Sequence, residues 1–115
     1  LVKLLRCENN EVVDKVCLTI GNISEDTASN RDLLIKAGCV EPLIKNLQNA
    51  SSTLLKKSIT WALSNLCRGR PLPSFELVKD CIPPFILILA TEEDPEILTD
   101  AAWSLSYLTG QEFDV

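Results

Sequence analysis

Trp61 and Asn65 stand one helical turn apart in the stretch Ile59 to Arg70, ITWALSNLCRGR. At about 100° per residue, Ile59, Ala62, Leu63 and Leu66 share one apolar stripe. Ser58, Trp61, Asn65 and Arg68 share a second, rotated from it by roughly 130°. An indole set off the core stripe, with a carboxamide one turn beyond, is expected at a surface, and the chemistry open to it is recognition. Catalysis has no footing. The chain has no histidine, no Cys-x-x-Cys pair, no phosphate-binding loop and no nucleophile–base pair. Cys7, Cys17, Cys39, Cys67 and Cys81 each lie in or beside an apolar helical pattern, so reduced, buried thiols are expected. Neither a metal nor a cofactor is called for.

The elements that position Trp61 recur. Trp103 lies 42 positions after Trp61 and Tyr107 lies 42 after Asn65, with Asp100 three residues before Trp103. Upstream, Leu18 to Ile23 (LTIGNI) is the same segment again, Asn22 falling 43 positions before Asn65. The connecting segments repeat as well: Gly38 to Ile44 matches Asp80 to Ile86, with Pro42 and Pro84 in the same place. A period of 42 or 43 carrying three helices per unit predicts an all-α, right-handed armadillo-type solenoid.

In chain order, Leu1 to Cys7 reads as the end of a helix, broken at Asn9–Asn10. A helix from about Glu11 to Ser24 follows, with Val12, Val16, Ile20 and Ile23 inward and Lys15, Leu18 and Asn22 outward, Asp26 just past its end. Asn30 to Lys36 is a short helix stopped at Ala37–Gly38, where glycine suits a left-handed cap. Val40 to Leu47 is the next, with Pro42 tolerated in its first turn. Ser51–Ser52 cap the long helix of Trp61. Arg70-Pro71-Leu72-Pro73 is a loop, Ser74 caps Phe75 to Asp80, and Pro83–Pro84 open Phe85 to Thr91. Glu92-Glu93-Asp94-Pro95 reads as a solvated, acidic start to a final helix that ends at Gly110. The expected division is a partial repeat over 1–26, repeats over 27–69 and 70–110, and the start of another over 111–115. Neither end carries a polar capping repeat, so the chain reads as a piece of a longer array, whose end faces would drive self-association if it existed alone.

The net charge is −5, from 11 basic and 16 acidic residues, and 46% of the chain is hydrophobic. That balance argues against nucleic acid and for a basic partner. No apolar run approaches the roughly 18 residues that span a bilayer, and no signal peptide opens the chain, so no membrane is expected.

The stretch Trp61-Ala-Leu-Ser-Asn65-Leu-Cys-Arg68-Gly69, a proline-bearing loop, and then Leu98-Thr-Asp100-Ala-Ala-Trp103-Ser-Leu-Ser-Tyr107-Leu resembles the importin-α (karyopherin-α) family, in the middle of its armadillo array. The resemblance runs over nearly the whole chain. It implies a nuclear import adaptor, shuttling between cytoplasm and nucleus, whose third helices line a groove for Lys/Arg-rich nuclear localisation signals. Tryptophan faces would form slots for lysine stems and attract the ammonium. Asparagines one turn later would hydrogen-bond the peptide backbone, and acids at the edge would neutralise the lysines. By the same resemblance, Trp61 and Asn65 are the Trp–Asn pair, Asn22 is the asparagine of the preceding repeat, and Asp26 pairs with the most stringently required lysine. Asp100 and Trp103 belong to the following repeat, and Arg68 and Tyr107 mark the interruption between major and minor sites. Arg68 has a competing structural role, pairing with Asp100 across repeats, and Asp26 has one as a helix cap. Leu18 stands where the family has tryptophan, which implies a weakened slot. The resemblance also implies importin-β as a partner, through a segment outside these residues. The rival reading is a generic armadillo scaffold in a signalling or junction complex.

Overall fold

Each long helix begins at a side chain that satisfies its first free N–H groups. The Asn9 carboxamide accepts from the backbone N–H of Glu11 and Val12 and opens α1, Asn10–Asp26. Thr27 accepts from Asn30 N–H and opens α2, Ala28–Lys36. Val40–Asn49 forms α3. Ser52 accepts from Leu55 N–H and opens α4, Thr53–Cys67. After the loop come α5, Phe75–Val78, and a 3-10 turn, Lys79–Cys81. Then α6, Ile82–Thr91, opens on the proline pair. Asp94 accepts from Glu96 and Ile97 N–H and opens α7, Pro95–Gly110.

This computed structural model describes residues 1–110, and all regular structure among them is helical. The start of a further repeat expected over Gln111 to Val115 lies outside the described residues. Gly38 and Gly69, with φ of 87° and 106°, take the left-handed conformation that lets the chain turn after α2 and α4.

The long helices α1, α4 and α7 lie side by side, with α2 packed mainly on α1, α3 on α4 and α6 on α7. The predicted core stripe is fully buried: Ile59, Ala62, Leu63 and Leu66 have no exposed surface. Burying each large aliphatic side chain contributes about 1.5–3 kcal/mol. Two hydrogen bonds fix the register between α1 and α4. The Ser58 hydroxyl donates to the Asp14 carboxylate, and the Asn65 amide donates to the carbonyl of Gly21. Both span 44 residues, so the helices run parallel, in constant register, over two turns.

Several expectations are corrected by this layering. Because α4 is flanked by α1 and α7, it buries two faces, and Ser58 and Asn65 are inside it rather than on a surface stripe. The inward face of α1 likewise includes Val13, Cys17, Gly21 and Ser24 beside Val16 and Ile20, whereas Val12 and Ile23 are only half-buried. Ser74 precedes α5 but makes no capping bond. The acidic run before α7 is engaged: Glu92 pairs with Lys56 at 3.7 Å and Asp94 with Lys57 at 3.5 Å. Four of the five thiols are buried, but Cys7 is exposed. Burial pushes the Cys17 thiol up to about 12 and the Cys39 thiol up to about 11. The Cys67 thiol is raised by its hydrogen bond with Cys81 and by burial. These three are inert at neutral pH.

Candidate peptide-binding surface on the long helices

The repeat places equivalent side chains on adjacent helices. Leu18, Trp61 and Trp103 form one row across α1, α4 and α7; Asn22, Asn65 and Tyr107 form the next, one turn on. Asp26 and Arg68 stand exposed at the C-terminal ends of α1 and α4.

The rows are uneven. Trp61 is half-buried, because its six-membered ring rests on the backbone of Gly21; a Cβ there would lie 2.1 Å from the indole. The equivalent position one repeat on is Ser64, whose hydroxyl donates to the carbonyl of Trp61. Trp103 stands 58% exposed and stacks on Tyr107, ring centroids 5.9 Å apart and planes at 22°. Leu18 is exposed on α1. Trp103 therefore keeps the face turned away from the half-buried Tyr107 open, an arrangement that attracts a cation.

Asn65 is only 1% exposed. Its amide bonds Gly21 O at 3.1 Å, and its Oδ1 is buried without a partner. Exposed presentation of this carboxamide, expected from the helical wheel, is not what the fold provides; the proximity of α1 covers it. Asn22 on α1 remains exposed.

Asp100 is half-buried on α7. Burial and the nearby Glu96 raise its carboxyl above the usual range, while the Arg68 charge opposes them. A partly desolvated carboxylate beside exposed aromatic rings is a ready partner for an ammonium or guanidinium.

Two residues that position this surface carry little signal in the sequence. Gly21 is one, legible only as a glycine in a helix interior. Arg31 is the other: it is 1% exposed, holds the Asp32 carboxylate at 2.9 Å, and donates from Nη1 to the carbonyl of Arg68 at 2.8 Å. It anchors the chain where α4 ends and so fixes the base of Arg68.

The model of the armadillo/β-catenin-like repeat matches residues 27–68 and 73–110. The chain is 37% identical over 108 residues to importin subunit alpha-1b of Oryza sativa subsp. japonica, covering 94% of this chain and 20% of that protein. It is 38% identical over 109 residues to importin subunit alpha-2 of Arabidopsis thaliana, again covering 94% of this chain and 20% of that protein. The chain thus spans about a fifth of the length of these curated relatives. A designed armadillo repeat protein in complex with the peptide (KR)4 superposes with a TM-score of 0.81 at 25% identity, over 93% of this chain and 44% of that one.

Proposed function

This chain belongs to the armadillo/β-catenin-like repeat family, and on that premise we propose that the surface of α1, α4 and α7 binds an extended Lys/Arg-rich peptide. The peptide class is the nuclear localisation signal, and the setting is a nuclear import adaptor that shuttles between cytoplasm and nucleus. The observation that carries this reading is the exposed Trp103, stacked on Tyr107, on the same helix as the half-buried carboxylate of Asp100. An aliphatic lysine stem lies well along an indole, and its ammonium is drawn to the π face and to the acid. The net charge of −5 steers a basic ligand toward the chain.

In this reading Trp61 and Trp103 line the lysine slots, Asp26 and Asp100 supply charge, and Asn22 offers its carboxamide to the peptide backbone. Leu18 lines its slot by dispersion alone. Arg68 and Tyr107 set the end of the usable row. Asn65 holds α1 against α4 and acts on the surface only through that packing. Contact with importin-β is assigned to none of these residues.

Titration with a (KR)4 octapeptide and a length-matched alanine/serine control, followed by tryptophan fluorescence at low and high salt, tests the proposal. Binding of the basic peptide alone, weakening as salt rises, is the expected result. Equal response to both peptides, or none to either, would favour a scaffold that recognises some other ligand.

A further inference from the structure

Two grooves between successive repeats occupy equivalent places and differ in nearly every side chain. The first lies between the opening 3-10 helix, Val2–Arg6, and α3, and is lined by Leu5, Arg6, Glu41, Lys45, Asn46 and Asn49 beside Pro42. The second lies between α3 and α6. There the residues 42 positions on are Leu47, Gln48, Pro83, Leu87, Ile88 and Thr91. The buried leucine is kept, but around it an acid becomes proline, a lysine leucine and an asparagine isoleucine. Ala50 and the buried Ile97 of α7 complete a groove of about 320 Å³.

Leu87 gives the second groove its character, and it is 60% exposed. A following repeat does not cover this position in the solenoid: Lys45, its equivalent on α3, stays exposed with α5 to α7 packed in place. A lysine there keeps its head in water, whereas a leucine leaves apolar surface beside Pro83 and Ile88. The charge changes in the same step. Arg6 and Lys45, the cations of the first groove, give way to Gln48 and Leu87, while Ala50 and Ser51 give way to Glu92 and Glu93. Lys56 meets Glu92 only at 3.7 Å, and Glu93 beside it is exposed. Two acids against one lysine leave this rim negative.

We infer that the groove between α3 and α6 docks a short amphipathic segment of a partner protein, apolar on one face and basic beside it. Aliphatic side chains of the segment seat against Leu47, Leu87 and Ile88, and a lysine or arginine at its edge meets Glu92 and Glu93. Apolar burial supplies the affinity, and the two acids select the sign of the partner's charge. None of Trp61, Asp100 and Trp103 lines this groove. The inference therefore stands apart from the peptide-binding reading of the long helices.

Fluorescence anisotropy of a labelled KLAKLK peptide on the whole chain, with excess unlabelled (KR)4 present, tests the inference. KSAKSK removes the apolar side chains and ELAELE reverses the charge. The unchanged protein should bind KLAKLK and neither control. Leu87→Lys, which installs the residue type of the equivalent site on α3, should weaken binding about tenfold or more. Glu93→Gln should weaken it about two- to fivefold. Circular dichroism checks that Leu87→Lys keeps its helix content, and Leu87→Ser replaces it if it does not. No binding of KLAKLK, equal binding of either control, or binding that survives Leu87→Lys overturns the inference. So does a sedimenting mass that rises with concentration in the unchanged protein but not in Leu87→Lys, because it would assign the groove to a second copy of the chain.

Discussion

The buried guanidinium of Arg31 donates to the main-chain carbonyl of Arg68, 37 residues along the chain, at 2.8 Å. One short helix thereby holds the end of the long helix that carries Trp61. The same group lies against Gly69, where an added Cβ would be 3.0 Å from Nη1. The cation also sits where the free carbonyls of α4 concentrate negative potential.

Removing that cation tests how far the site depends on its frame. Arg31→Ala leaves the Arg68 carbonyl unpaired, strips Asp32 of its partner and opens a cavity, at a cost of about 3–5 kcal/mol. Arg31→Lys retains charge but not the forked geometry and should lose less. Urea unfolding curves give the order: wild type, then lysine, then alanine. A stability unchanged in Arg31→Ala would show that the bond to Arg68 contributes nothing.

The contact between Trp61 and Gly21 leads to a second expectation. Gly21→Ala puts a methyl group inside the indole ring's position, so the ring must swing outward. Local helix propensity improves by up to about 1 kcal/mol, but the lost packing should outweigh it and lower the midpoint of unfolding. In a Trp103→Phe background, emission from Trp61 should shift to longer wavelength as the ring meets water. Unchanged emission would mean that the backbone moves instead.

Asn65 is expected to behave as a core residue. Asn65→Ala leaves Ser58–Asp14 as the remaining hydrogen bond in this register and deletes a buried polar pair, at a cost of roughly 1 kcal/mol. Asn22→Ala, on an exposed site, should fall within about 0.5 kcal/mol of wild type. Paired thermal melts of the two variants check the contrast.

Asp100 makes the pH dependence specific. Its carboxyl is raised in the folded chain, so the folded state holds its proton more tightly than the unfolded one. This group therefore favours folding below the ordinary carboxylate range and loses that contribution as pH rises through its raised value. Asp100→Asn should raise neutral-pH stability slightly, by less than about 0.5 kcal/mol for a half-buried group that water still screens, and the difference should vanish toward pH 3. A basic peptide reverses the preference: its affinity should climb as Asp100 ionises and level off by pH 7. An affinity that Asp100→Asn leaves with the same pH profile would remove this residue from the site.

Much of this was readable in advance. The 42-residue spacing of Trp61 and Trp103 predicted the repeat, because the same three-helix unit must bury the same positions each time. The caps at Ser52 and the turn at Gly38 followed from local chemistry. Burial of Asn65 did not, since a helical wheel places a residue relative to its own axis and says nothing about a second neighbour. Arg31 was missed for a related reason: an arginine in a short polar helix looks solvated until the Arg68 carbonyl comes back to meet it. The ends of α1 differed by a residue or two because Asn9 and Thr27, not their neighbours, supply the caps.

The constant 44-residue register between α1 and α4 makes the array a ruler. Parallel neighbours in such a layer sit about 8–10 Å apart, and an extended chain advances about 3.3 Å per residue. Trp61 on α4 and Trp103 on α7 would therefore meet residues two or three apart on a strand laid across them. On the proposed peptide-binding reading, spacing as well as composition would select the ligand: two peptides with identical lysine content but a one-residue shift between their lysines should be told apart.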